Sequence, residues 1–291
     1  MRPSLVLFVA VAAISFGGPL TRLSNADPLA VAVWRLGLSL VGIVGFLVAG
    51  GGWREWRRLR RRDLGLALGA GTLLAVHFWS WIASLDLTTV AASVVLVNTQ
   101  PVIVAVLSAV WLREAPVGRQ WAGIGIAVAG AAAVAAPHLS TPAGASRTAL
   151  VGDLLALVGA VTAALYFLAG RRVRATLGLW PYVGLVYGAC FVVLVVFAVA
   201  VGAPLAPQPP RELAIFAGLA VGPMLVGHTG CNWALKYLPA YVVNVALLGE
   251  TVGATLLAAV LPGIREVPPA TTLVGGALII TGIVVTSKPA R

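Results

Sequence analysis

Four ionisable side chains, Arg35, His77, His228 and Glu250, fall inside long apolar runs of this 291-residue chain. A charge or a titratable ring is expensive in hydrocarbon, and where one occurs it tends to mark an ion, proton or substrate path. Trp81 follows His77 by four residues and Asn232 follows His228 by four. On a helix each histidine therefore shares a face with a second polar or aromatic group. Ser93 and Gln100 are seven residues apart, as are Asn244 and Thr251. Each of these pairs lies on one face, two turns apart. With the deep aromatic Tyr166, these residues could line a polar path and bind a small molecule. The same groups could serve as hydrogen-bonding glue between helices. Glu250 lies six residues beyond Asn244, off that stripe. It reads either as a proton-coupling carboxylate or as a structural one paired with a helix end or Arg35. Arg35 is about seven residues, near 10 Å, from one end of its run. It could snorkel, pair, or touch substrate. His77, His228 and Cys231 offer metal ligands but no fourth ligand or recognised spacing, and a bis-histidine haem has no motif either. No metal and no cofactor is expected.

The elements that must hold these groups are helices. The chain is 60% hydrophobic and 10% charged, whereas soluble proteins carry about a quarter charged residues. Two cysteines exclude a disulfide scaffold. The net charge of +11 would suit a nucleic-acid binder, but so apolar a chain has no water-facing surface for one, and no nucleic-acid partner is expected. A membrane helix needs about 20 mostly apolar residues. Ten such spans are predicted: Ser4–Leu20, Pro28–Ala49, Leu64–Leu85, Thr89–Trp111, Arg119–Ala136, Val151–Ala169, Pro181–Val201, Leu213–Leu235, Ala240–Leu261 and Pro269–Thr286. The apolar first span reads as an uncleaved helix rather than a signal peptide. The connections are too short for a soluble domain. No Walker motif or dinucleotide fingerprint is present; Gly123-Ile-Gly125 lacks the third glycine and the strand.

Cationic residues prefer the cytoplasmic side of short loops. With both termini inside, 15 of the 20 Lys and Arg fall on the cytoplasmic side. Arg22, Arg147, Arg211 and Arg265 fall outside, and Arg35 within the membrane. The expectation is a multi-pass protein of a bacterial inner membrane, with the lipid bilayer as its medium. Trp53, Trp56, Trp111, Trp121 and Trp180 sit at span ends and read as interfacial belts.

The chain repeats itself. Shifting by 151 residues pairs His77 with His228, Ser93 with Asn244 and Gln100 with Thr251; a shift of 152 pairs Arg113-Glu114 with Arg265-Glu266, Gly123 with Gly275 and Gly130 with Gly282. The expected architecture is all-α and integral to the membrane: ten transmembrane helices as two five-helix repeats, residues 1–137 and 150–291. Five is odd, so the second repeat is inverted. Inverted repeats typify secondary transporters whose site lies near the midplane. The spacing of Gly123, Ala127, Ala131 and Ala135 makes a small-residue face on the fifth span. It could pack on the tenth span or form a homodimer seam, so monomer and homodimer both stay open.

Several doubled features carry a family resemblance. They are the turns Ala83 to Thr89 and Ala234 to Ala240, the Gln100-Pro101 and Glu250 helices, the two Arg-Glu ends, and the two Gly-x6-Gly helices. With these, the chain resembles the EamA-type drug/metabolite transporter superfamily, most closely the YddG-like amino-acid exporters. It departs from the usual pattern at Glu250-Thr251, where relatives often have Glu-Pro. A second departure is Ser15-Phe16-Gly17-Gly18, where many have Trp-Gly. The resemblance implies a transporter rather than an enzyme. The expected activity is export of small neutral or zwitterionic metabolites, amino acids first, by alternating access around a midplane cavity. Efflux of lipophilic cations coupled to protons through Glu250 is the second reading. A membrane-embedded enzyme or a structural partner protein is the third.

Overall fold

In hydrocarbon every backbone N–H and C=O must find a partner within the protein, which a helix achieves along its own axis. The computed structural model describes residues 2–88, 93, 96–139, 147–261 and 270–288. Among the described residues every regular element is helical. In chain order they are α1 (Pro3–Ile14), α2 (Gly17–Arg22), α3 (Pro28–Ala49), a short 3-10 helix (Gly52–Arg58), α4 (Arg61–Leu87) and α5 (Gln100–Leu107). A π-helical turn (Ser108–Leu112) follows, then α6 (Gly118–Leu139), α7 (Arg147–Arg174), α8 (Leu179–Ala200) and α9 (Pro210–Leu219). After a π-helical stretch (Ala220–His228) come α10 (Thr229–Ala234), α11 (Ala240–Leu247), α12 (Gly249–Val260) and α13 (Ala270–Ser287). Prolines open α1, α3 and α9, where a missing N–H costs nothing. Asp27 caps α3 by accepting from Leu29 N at 2.8 Å.

Eight helical stretches among the described residues are long and apolar enough to cross a membrane. The predicted fourth span is represented by the shorter apolar stretch Gln100–Leu112, its opening residue Thr89 lying outside the described residues. The predicted fifth is the helix α6. Arg265, Glu266 and Arg291 also lie outside the described residues. The helix of the sixth predicted span, α7, outruns that span at both ends, reaching Arg147 and Arg174. Hydrocarbon thickness limits the apolar run but not the helix.

The chain forms two compact units, each drawing on both halves of the sequence. One holds Met1–Ala75 and Ala169–Tyr237. There α4 crosses α8 at Gly71, where an added Cβ would sit 2.7 Å from Ala189 Cβ. Similarly α1 lies against α10 at Gly230, where a Cβ would sit 2.8 Å from Ala10 Cβ. The buried Val31, Phe216 and Leu219 fill the space between α3 and α9.

The other unit holds Val76–Leu168 and Leu238–Arg291. Its α6 and α13 meet backbone to backbone. A Cβ on Gly130 would lie 2.6 Å from Gly275 O, and one on Gly275 equally close to Gly130 O. The small-residue face of the fifth predicted span is thus occupied by α13 of the same chain. Gly125, on the same helix, has nothing within 4 Å of a new Cβ. We expect Gly130→Ala to lower the thermal midpoint of the detergent-purified protein by several degrees, since overpacking costs about 1–3 kcal/mol. Gly125→Ala should hold or raise it, because alanine is the better helix former.

Candidate functional site

In the unit containing α5 and α11, two of the residues read from the sequence, Gln100 and Asn244, bond each other. Gln100 opens α5, and its Nε2 donates to Asn244 Oδ1 on α11. Asn244 is buried and its Nδ2 donates back to Ala240 O at 3.0 Å. Both helices tighten nearby. Thr99 N bonds Leu96 O and Val102 N bonds Thr99 O; Leu248 N bonds Val245 O and Thr251 N bonds Leu248 O. These i to i−3 bonds interrupt the α ladder within two residues of repeat-equivalent positions. Interrupted membrane helices of this kind line substrate and ion sites in transporters.

The first break explains a residue the sequence reading passed over. Asn98 lies in it, and its Nδ2 is buried with no hydrogen-bond partner. An orphaned buried donor costs about 1–3 kcal/mol, so it marks a place suited to a polar ligand atom. Its sequence signal was an amide in an apolar run three residues before Pro101. Glu250 and Thr251 open α12 just past the second break, and both are half-buried. A helix N-terminus favours a carboxylate there.

On α4, His77 is half-buried and its Nδ1 lies 2.9 Å from Gly159 O on α7. A carbonyl only accepts, so Nδ1 carries the hydrogen of that bond. Gly159 permits the approach: a Cβ there would sit 3.3 Å from Ser80 Oγ and 3.6 Å from Trp81 Cβ. Ser93 is buried, and its hydroxyl pairs with Ser84 Oγ at 2.6 Å. That bond is the interhelical-glue alternative for Ser93. Tyr166 is buried and packs edge-on against Phe167, centroids 4.8 Å apart. Gln120, also missed by sequence, is buried at the start of α6. It donates to Thr286 O and Lys288 O and accepts from the Tyr241 hydroxyl at 3.0 Å.

His228, Asn232 and Arg35 belong to the other unit. His228 ends the π-helical stretch that contains Pro223. Proline cannot donate an N–H, and the ladder widens around it. Asn232 is fully buried, donating to His228 O at 2.9 Å and to the Tyr187 hydroxyl at 3.3 Å. Tyr187 also lies 3.4 Å from Thr229 Oγ1. Arg35 is 8% exposed, with Nη2 3.3 Å from Met224 Sδ. Ser39 Oγ bonds the carbonyls of Arg35 and Ala220, tying α3 to the π-helical stretch. Among the described residues no group of three or more His, Cys, Asp or Glu could hold a metal ion.

The Gln100–Asn244 contact makes a clear energetic signature. Gln100→Leu should cost about 1–3 kcal/mol by stranding the Asn244 carbonyl, while Gln100→Leu with Asn244→Leu should recover much of it. Thermal unfolding of the two single variants and the double variant measures this. A double variant that loses the sum of the two single losses contradicts the pairing.

The family model of the EamA-like transporter family matches residues 1–136 and 150–288. A solved crystal structure, described only as that of a protein, aligns with 98% of this chain and 96% of its own. Its TM-score is 0.82 at 19% identity, so it shows a shared fold. No curated protein matches.

Proposed function

Because the chain belongs to the EamA-like transporter family, a family of membrane transporters and not of enzymes, we propose that it exports small neutral or zwitterionic metabolites, most of all amino acids, in the manner of YddG-like exporters. In this reading ten transmembrane helices form two inverted five-helix repeats, residues 1–137 and 150–291. They rock around a midplane cavity in a bacterial inner membrane, with both termini cytoplasmic. The family match to two stretches, 1–136 and 150–288, carries the reading, because its limits fall beside those of the two repeats. Support for the site comes from the polar set at the helix breaks: Asn98, Gln100, Asn244 and Thr251, with His77 and Trp81 on α4.

The chemistry suits a zwitterion. Amides and a neutral histidine offer donors and acceptors for an ammonium and a carboxylate without a net charge of their own. Apolar and aromatic neighbours suit a side chain. His228, Asn232, Tyr166 and Ser93 stay in the proposed set as supports. The burial of Tyr166 and Ser93 fits residues that hold the site's walls, whereas His228 and Asn232 belong to the other unit. Arg35 and Glu250 serve as structural ions or coupling groups. The oligomeric state, monomer or homodimer, is not needed for this mechanism.

A second reading, efflux of lipophilic cations, draws on Glu250, half-buried just past the break at Leu248. Counterflow of labelled amino acids into proteoliposomes separates the two. The expected result is saturable exchange of at least one amino acid, falling about tenfold or more in Gln100→Ala and His77→Ala as one site hydrogen bond is lost. No exchange of any amino acid by folded protein sinks the assignment. Ethidium-type efflux abolished in Glu250→Gln establishes the cation reading instead.

A further inference from the structure

From just past α3 into the first turn of α4 the chain reads Gly52-Trp-Arg-Glu-Trp-Arg-Arg-Leu-Arg-Arg-Arg62. Orientation in a membrane requires only positive charge in this connection. The fold supplies more. The segment is pinned as a strap: Trp56 Nε1 donates to Pro181 O at 3.0 Å, and Glu55 Oε2 accepts from Gly178 N at 2.8 Å. Gly51, at φ +63°, makes the sharp left-handed exit from α3 that starts it. Arg54, Arg57, Arg58, Arg60, Arg61 and Arg62 are all exposed. Among the described residues none of the six makes an ion pair within 4.0 Å. The half-exposed Trp53 ring is flanked by Arg54 and Arg57, each guanidinium carbon 5.5 Å from its centroid.

The strap's position selects the partner. Val44 and Val48 on α3 and Leu64 and Leu68 on α4 are all exposed apolar residues, Val48 at 63%. They are exposed on two helices long and apolar enough to cross a membrane, and the strap joins the ends of those helices. Beside it, a groove of about 490 Å³ is lined by Arg58, Arg60, Glu55, Asp63, Thr176 and Leu177. Six like charges held on one short segment repel one another unless an anion lies between them. The anion available at the edge of a hydrocarbon layer is the lipid phosphate, which matches the planar guanidinium fork.

We propose that this strap is a docking surface for anionic phospholipid headgroups in the leaflet it faces, with Arg58, Arg60 and Arg62 as principal phosphate ligands. Trp53 holds Arg54 and Arg57 at the interface by cation–π attraction. Glu55 serves to pin the strap.

The test uses the full chain purified in neutral detergent, followed by thermal unfolding with added phosphatidylglycerol, phosphatidylethanolamine, phosphatidylcholine or soluble inorganic phosphate. Phosphatidylglycerol is expected to raise the midpoint by several degrees, as a ligand of the folded state does, and high salt should erase most of the shift. The triple variant R58Q/R60Q/R62Q keeps three arginines for insertion and should lose at least half of the shift; R58K/R60K/R62K should keep most of it. Equal shifts with phosphatidylglycerol and phosphatidylcholine overturn the proposal, as does an unchanged shift in the glutamine variant. An equal shift with soluble phosphate overturns the lipid assignment. If the glutamine variant does not fold, native mass spectrometry of the wild type decides: phosphatidylglycerol retained over phosphatidylcholine supports the proposal, and equal retention refutes it.

Discussion

The satisfaction of backbone hydrogen bonds without water governs this molecule. Each peptide group placed in hydrocarbon must be bonded within the chain. That demand makes every described regular element a helix. It also makes each departure from the α ladder a local expense that some other group must offset. Three of the departures among the described residues carry the polar chemistry. Near Asn98–Thr99 and Leu248 the ladder tightens, and over Ala220–His228 it widens around Pro223. Side chains gather at these places because they offer the donors and acceptors that the ladder no longer supplies.

The same demand explains what Arg171 and Arg174 do. Arg171 Nη1 donates to Leu235 O at 2.6 Å and Arg174 Nε to Asn232 O at 3.1 Å. Together they take up the open carbonyls at the end of α10. Arg174 is 2% exposed, and burial lets its guanidinium replace water that the helix end cannot reach. By contrast, the arginines of the strap point outward and cap nothing. In one chain, then, basic residues near the membrane edge divide into two kinds. Some are internal hydrogen-bond donors, and others are surface charges awaiting a counter-charge from outside.

Close packing without a hydrophobic driving force depends on small residues that let backbones approach. At Gly130 and Gly275 the approach is so close that a methyl on either would meet the other's carbonyl. Dispersion over that long contact, with the Gln120 hydrogen bonds at its end, holds α6 and α13 together. Their neighbours α5 and α11 carry the Gln100–Asn244 pair. A rigid helix pair beside two interrupted helices is a sound arrangement for a site, since it separates the part that holds shape from the part that presents polar groups.

The sequence alone determined the helical membrane class, the family, and the positions of the eight helical stretches among the described residues that are long and apolar enough to cross a membrane. Each of these follows from local quantities: apolar run length, transfer free energy, charge per loop, and the spacing of repeated residues. The small-residue face on the fifth span was equally legible, because helical period places it. Which surface covers that face was decided by tertiary structure, as was the partner of each polar group. Gln100 meets Asn244 across 144 residues, while Ser93 meets Ser84 on the preceding helix. No local property of serine or glutamine distinguishes those outcomes, because hydrogen-bond partners are chosen by how helices dock. Asn98 and Gln120 escaped notice for the same reason: an amide in an apolar run looks alike whether docking satisfies it, as at Gln120, or leaves its donor open, as at Asn98. The strap's arginines were read correctly as charge. Only the pinning of Trp56 and Glu55 to the start of α8 turned that charge into a surface of fixed shape.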